Sequence, residues 1–179
     1  MRKIILRAAA LCLVAIISIS YTASAANASE NAASGDLIII NKKTNQLAYF
    51  HNGKLEKTYS VATGKTWSDT PVGFFKIVNK IKNRPYYTGH IAGGASNNHL
   101  GSRRWLGLNA NGTTGDTYAI HGNNSEDSIG KYVSHGCVRM HNADVEELFN
   151  KVAVGTSVTI TYSSKTFEEL AKVYGYGQL

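Results

Sequence analysis

Ser134-His135-Gly136-Cys137-Val138-Arg139-Met140 is the stretch whose reading decides this chain. A third nearby histidine, after His135 and His141, stands upstream in Ala119-Ile120-His121-Gly122. A free thiol is only slightly ionised at neutral pH, yet it is intrinsically very nucleophilic. A neighbouring imidazole can take its proton or hold it as an ion pair. The pattern therefore points to a cysteine nucleophile with a histidine base. His121 ends a strand-like run and is separated from Cys137 by a loop, so the fold can bring ring and sulfur face to face. His135, in an extended segment, would share a side with Cys137. His141 falls near a helix start and reads as a surface residue.

Gly136 permits close approach of the backbone to a substrate. The amides of Gly136 and Cys137 can then point at one oxygen, as an oxyanion hole requires. Arg139 has the geometry to clamp a carboxylate through paired hydrogen bonds, or it is an ordinary surface arginine. A zinc site built on His121, His135, Cys137 and His141 is the rival chemistry, but these spacings match no common zinc pattern and no paired cysteines occur. Ser134 lacks the G-x-S-x-G setting of a serine nucleophile. There is no phosphate-binding glycine loop and no basic aromatic patch for nucleic acid.

The 179 residues suffice for one domain with a real core, and 43% apolar against 17% charged residues reads as globular. The N-terminus has the layout of a secretory signal peptide over residues 1–25. Arg2, Lys3 and Arg7 supply the positive start, residues 6–19 the apolar run, and Ala23-Ser24-Ala25 the small-x-small site. The run is short for a bilayer span. Cleavage would remove Cys12 and leave Cys137 as an unpaired thiol. It would also lower the net charge from +7 to about +4. Export to the cell envelope, periplasm or wall, follows as the expectation.

Residues 26–35 read as a short linker. Three strands are expected from Asp36 to Gly64, the last two joined at Asn52-Gly53, the strongest short hairpin signal. Thr70-Pro71-Val72-Gly73 turns into a strand at Phe74-Phe75-Lys76-Ile77-Val78. Residues 79–115 carry little periodicity beyond a short strand at Trp105-Leu106-Gly107-Leu108. A connection of this length is often functional. Tyr86, Tyr87, His90 and Trp105 either line a groove there or cap the core. Thr117 to His121 reads as a strand, and residues 122–133 as a loop. Asn142 is expected to cap a helix with Val145, Leu148, Phe149 and Val152 on its apolar face, ended by Gly155. A final strand puts Val158, Ile160 and Tyr162 on one face. Thr166 and Glu169 form a capping box for a short helix carrying Phe167, Leu170, Ala171 and Tyr174. The sum is a mainly β, single-domain, sandwich-like fold with one or two short helices.

These motifs together resemble the active-site signature of the L,D-transpeptidases with a YkuD-type catalytic domain: His121-Gly122, Gly130, and the whole stretch from Ser134 to Met140. Ala62-Thr63-Gly64, Thr70-Pro71-Val72-Gly73 and Tyr118-Ala119-Ile120 fall where that domain has similar segments, so the resemblance spans residues 36–162, with 163–179 left as a helical tail. It implies a bacterial cysteine acyltransferase that builds or remodels peptidoglycan, organising the wall and cell shape. Cys137 would be the nucleophile, His121 its base, and the Gly122 carbonyl the group that orients the ring. His135, Gly136 and Ser134 would support the reacting carbonyl, and Arg139 would meet a stem-peptide carboxylate. Cys137 would attack the third stem residue's carbonyl, expel D-alanine, and pass the acyl group to a neighbouring stem's amine. Water as acceptor would make the chain an L,D-carboxypeptidase or another cysteine hydrolase of peptidoglycan. A non-catalytic wall-binding domain is the remaining alternative. The resemblance further implies no metal or organic cofactor, acylation of Cys137 by carbapenems, stem peptides as partners, and a monomer.

Overall fold

The computed structural model describes residues 35–101 and 104–176. The expected signal peptide, Cys12 and nearly all of the linker lie outside the described residues.

The first three strands, β1 (Asp36–Asn41), β2 (Gln46–His51) and β3 (Lys54–Gly64), form the antiparallel meander that the turn residues predict. Asn52 and Gly53 hold φ of 48° and 77°. Positive φ at both central positions is the turn geometry that matches strand twist, and asparagine and glycine tolerate it best. Then follow β4 (Gly73–Lys82), β5 (Arg104–Leu108), β6 (Tyr118–His121), β7 (Tyr132–Ser134) and β8 (Val138–Met140). Helix α1 (Asn142–Lys151), β9 (Ser157–Thr161) and α2 (Phe167–Val173) complete the chain.

The nine strands run in the order β2-β1-β9-β4-β5-β6-β8-β3-β7, and the β2–β3 pairing closes the sheet on itself. Two long strands make the corners. Residues 54–60 of β3 pair with β2, and Val61 and Ala62 pair with β8. Residues 73–76 of β4 pair with β9, and its later residues with β5. The sandwich expected from composition is thus one closed sheet whose two walls share β3 and β4.

Inside lies one core. Ile38, Ile40, Leu47, Tyr49, Val61, Ile77, Leu106, Ile120, Val138, Met140 and Ile160 meet there with Val145, Leu148 and Phe149 of α1. Each fully buried side chain of this kind contributes about 1.5–3 kcal/mol. β1 is apolar at every position from Leu37 to Ile40 because it is covered on both faces. Leu37 and Ile39 point away from the core and pack with Ala48, Phe50, Leu170 and Ala171.

Several local expectations need correction. The capping position of α1 is held by His141, not Asn142, whose side chain instead bonds the Asn123 backbone in both directions. Helix α1 ends at Lys151, and Gly155 (φ 96°) serves the turn into β9. Lys80 Nζ donates to the Phe149 and Val152 carbonyls, meeting the C-terminal end of α1 with a positive charge. Tyr162 lies past the end of β9 and is 47% exposed, stacked edge-on against Trp67 rather than facing the core. Residues 122–133 end in a strand, β7, that pairs parallel with Thr63 and Gly64. Periodicity cannot reveal a strand of three residues. The capping box at Thr166 and Glu169 forms as read, and α2 buries Leu170 and Ala171 on the sheet.

Leu170→Ala is expected to cost about 2–4 kcal/mol and to lower a single, cooperative melting transition. A separate transition, or an unchanged one, would show that the helix is an appendage.

Candidate active site

The site lies on the outer face of the wall made by β5, β6 and β8. β6 and β8 run parallel, with Ile120 opposite Val138 and His121 opposite Arg139. Strand alternation then does the sorting. Ile120 and Val138 enter the core, whereas Ala119, His121, Cys137 and Arg139 turn outward. β5 adds Trp105, opposite His121 in the antiparallel register, and the two rings stack with centroids 5.5 Å apart.

Residues 83–101 form a roof over this face. Tyr86 and Ile91 pair within it. Asn98, buried, ties it together: its Nδ2 donates to the Arg84 and Ala92 carbonyls and its Oδ1 accepts from the Leu100 amide. Gly101 (φ 71°) ends the roof where a Cβ would sit 2.0 Å from the Asn123 amide nitrogen, so only glycine fits.

Between roof and wall is a cleft of about 220 Å³. His121, Ser134, His135, Cys137 and Arg139 line it, so most of the residues picked from sequence share one cavity. The Gly122 carbonyl lies behind, accepting a 2.6 Å hydrogen bond from His121 Nδ1. A carbonyl can only accept, so Nδ1 carries the hydrogen and Nε2 keeps its lone pair. Ser134 Oγ donates to the Cys137 carbonyl at 2.6 Å and accepts from the Gly136 amide at 3.1 Å. Ser134 therefore braces the turn, and the Gly136 amide is already engaged. Gly136 has φ 137°, and a Cβ there would meet the Asp69 carbonyl oxygen at 2.7 Å and the Tyr118 ring at 2.9 Å. His135 is exposed at the rim. His141 stands apart, paired with Glu126.

Burial sets the protonation states. It lowers the His121 pKa to about 4, opposed by the Gly122 and Leu100 carbonyls and reinforced by the charges of Arg139 and His99. Burial also pushes the Cys137 thiol up, against the pull of an Ala119 hydrogen bond, Arg84 and Arg139. Sγ donates to the Thr117 carbonyl at 3.4 Å. The resting pair is neutral thiol and neutral imidazole, not an ion pair.

Tyr86, Tyr87 and Trp105 line the cleft as one of the two readings had it; His90 is not among the lining residues. Sequence reasoning passed over Arg84, His99 and Asp116. Arg84 lies over the Trp105 ring at 3.9 Å and the Tyr87 ring at 5.2 Å, and donates to the Asp116 carbonyl at 3.0 Å. A lone arginine beside Pro85 carries no signal in sequence; the stacking that marks it is tertiary. Among the described residues, no group of three His, Cys, Asp or Glu side chains could hold a metal ion.

Residues 35–160 match the family model of the YkuD L,D-transpeptidase catalytic domain. The chain is 50% identical over 143 residues to YqjB of Bacillus subtilis (strain 168), which bears a provisional L,D-transpeptidase name; the match covers 79% of this chain and 81% of YqjB. Among solved structures, the Enterococcus faecium L,D-transpeptidase C442S mutant superposes with a TM-score of 0.56 at 22% identity, over 71% of this chain and 50% of that one. The E. faecium catalytic domain acylated by ertapenem gives 0.53 at 20% identity, over 71% of this chain and 97% of that domain. These structures share the fold, and this chain spans only half of the longer one. A closed sheet bearing a roofed cysteine–histidine cleft, matched over seven-tenths of its length by one family model, places this chain in the L,D-transpeptidase family, with a YkuD-type catalytic domain.

Proposed function

We propose that the protein is a peptidoglycan L,D-transpeptidase whose nucleophile is Cys137 and whose base is His121. The observation that carries this reading is that thiol and imidazole line one cleft together with two guanidinium groups, Arg84 and Arg139. Peptidoglycan stems are polyanionic, and guanidinium groups bind carboxylates through paired hydrogen bonds.

A tetrapeptide stem lies in the cleft with the carbonyl of its third residue at Sγ. As sulfur attacks, its proton passes to Nε2 of His121, and the C–S bond forms. The Cys137 amide receives the oxyanion, since the Gly136 amide is held by Ser134. Collapse breaks the C–N bond, and the His121 proton leaves with the amine of D-alanine. The amine of a second stem then attacks the thioester and gives a proton to His121, which returns it to the departing sulfur as the C–S bond breaks. Two easier acyl transfers replace one difficult amide exchange. The whole sequence begins and ends with a neutral imidazole, which burial secures. The ertapenem-acylated E. faecium domain supports the expectation that a carbapenem acylates Cys137 here. The reaction belongs outside the cytoplasm, in the envelope, after export directed by residues 1–25.

Cys137→Ala is expected to cut D-alanine release from a tetrapeptide stem by about a thousand-fold or more with an unchanged melting temperature. Retained release would end the reading. Product masses with and without an amine acceptor separate transfer from hydrolysis. The pH profile is a second test. Because the base works only when neutral, and its pKa lies near about 4, kcat/KM should stay level from pH 7 to about 5 and fall only near pH 4. A midpoint near the ordinary histidine value would rule out His121 as the base.

A further inference from the structure

A second cavity lies on the other side of the turn that carries Cys137. The loop of residues 65–72 between β3 and β4 meets β7 and the end of β9 there. A pocket of about 230 Å³ forms among Lys42, Lys65, Thr66, Trp67, Tyr132 and Tyr162. Its aromatic side chains are open to solvent: Trp67 is 65% exposed, and Tyr132 and Tyr162 are 47% exposed each. Large exposed aromatics grouped at one place mark ligand surfaces.

These rings are held, not merely left out. Trp67 and Tyr162 meet edge to face, centroids 4.7 Å apart. Lys42 is buried; its Nζ donates to the Trp67 carbonyl at 2.6 Å and the Thr70 carbonyl at 2.5 Å, and it lies 4.9 Å from the Trp67 ring centroid. The Tyr132 hydroxyl donates to the Lys42 carbonyl at 2.8 Å. The indole is thus held by a cation and by the Tyr162 ring, and most of it remains open to solvent.

The same loop is tied to the active-site turn. The Lys65 amide donates to the Ser134 carbonyl at 2.9 Å, and Thr70 Oγ1 donates to the Gly136 carbonyl at 3.0 Å. The loop that carries the pocket is therefore braced against the turn of residues 134–136, two of which, Ser134 and His135, line the cleft.

We infer that Trp67, Tyr162 and Tyr132 form a saccharide subsite that holds a sugar of the glycan strand bearing the stem peptide in the cleft. An N-acetylhexosamine ring has an apolar C–H face and a rim of hydroxyl and amide groups. The C–H face fits the exposed part of the indole, and the rim fits the Lys65 and Thr66 side chains and the tyrosine hydroxyls. A lipid surface or an apolar helix would call for aliphatic cover, which this pocket lacks. This inference rests on the transpeptidase reading for the identity of the glycan, but its binding step does not involve Cys137.

The chain has two tryptophans, Trp67 and Trp105, and Trp105 is buried. Titration with an N-acetylglucosamine tetramer should therefore change the emission of Trp67 in the wild type and in Cys137→Ala alike. Trp67→Phe and Tyr162→Ala should each weaken retention on purified sacculi. Each should also raise KM about five- to tenfold for a disaccharide-tetrapeptide, with kcat and turnover of the free tetrapeptide unchanged. Should one variant fail to melt like the wild type, the other and the wild-type titration still decide. No emission change at millimolar tetramer, or a KM for the disaccharide-tetrapeptide unchanged from wild type in a folded variant, overturns the subsite. Absence of free-tetrapeptide turnover in the wild type, with the emission change intact, would overturn the transpeptidase reading instead.

Discussion

The parallel pairing of β6 with β8 is the constraint on which the site depends. Only with His121 opposite Arg139 do the outward positions on the two strands combine imidazole, guanidinium and the sulfur just before β8. A slip by one residue would turn Cys137 and Arg139 into the core and bring Val138 out. That slip is blocked by the core itself, where Ile120, Val138 and Met140 are fully buried. The packing that stabilises the domain thus also fixes the relative position of the reactive groups.

Burial then works in opposite directions on the two reacting groups. The thiol loses ionisation and the imidazole loses basicity, so neither is charged at rest. A deeper ion pair would give a better standing nucleophile but would need desolvated charges to be compensated. The arrangement here keeps the proton on sulfur until a substrate arrives. Arg84 and Arg139 pull the thiol toward ionisation against that burial. The stack of Trp105 on His121 and the Gly122 carbonyl on Nδ1 fix the ring plane and its tautomer, with the lone pair on Nε2.

Strands β3 and β4 connect these features to the rest of the molecule. Each belongs to both walls of the sheet, and the loop between them carries Trp67, Asp69 and Thr70 to the turn of Ser134 and Gly136. One short connection therefore supports the turn that carries Cys137 and presents an aromatic surface beside it. The roof of residues 83–101 is built differently. It is held by the buried Asn98 amide, by the fit of Gly101 against Asn123, and by Arg84 on the Trp105 ring and the Asp116 carbonyl.

The sequence by itself determined a good deal. Alternating and continuous apolar runs marked β1 to β6 and β9, and the Asn52-Gly53 turn and the Thr166–Glu169 box set local geometry through one or two residues each. The unusual density of Cys137, His135, Gly136 and Arg139 near His121 pointed to the chemistry, because reactive groups declare themselves by type. What it could not determine depends on contacts between distant segments. β7 and β8 have three residues each, too short for a period to show, and exist only because β3 and β6 supply partners. Closure of the sheet, the stacking of Arg84 on Trp105, the engagement of the Gly136 amide by Ser134, and the neutral resting pair were all decided by tertiary structure. Hydrogen-bond partners and local dielectric are properties of the surroundings a residue reaches after folding, and no residue carries them in its own identity.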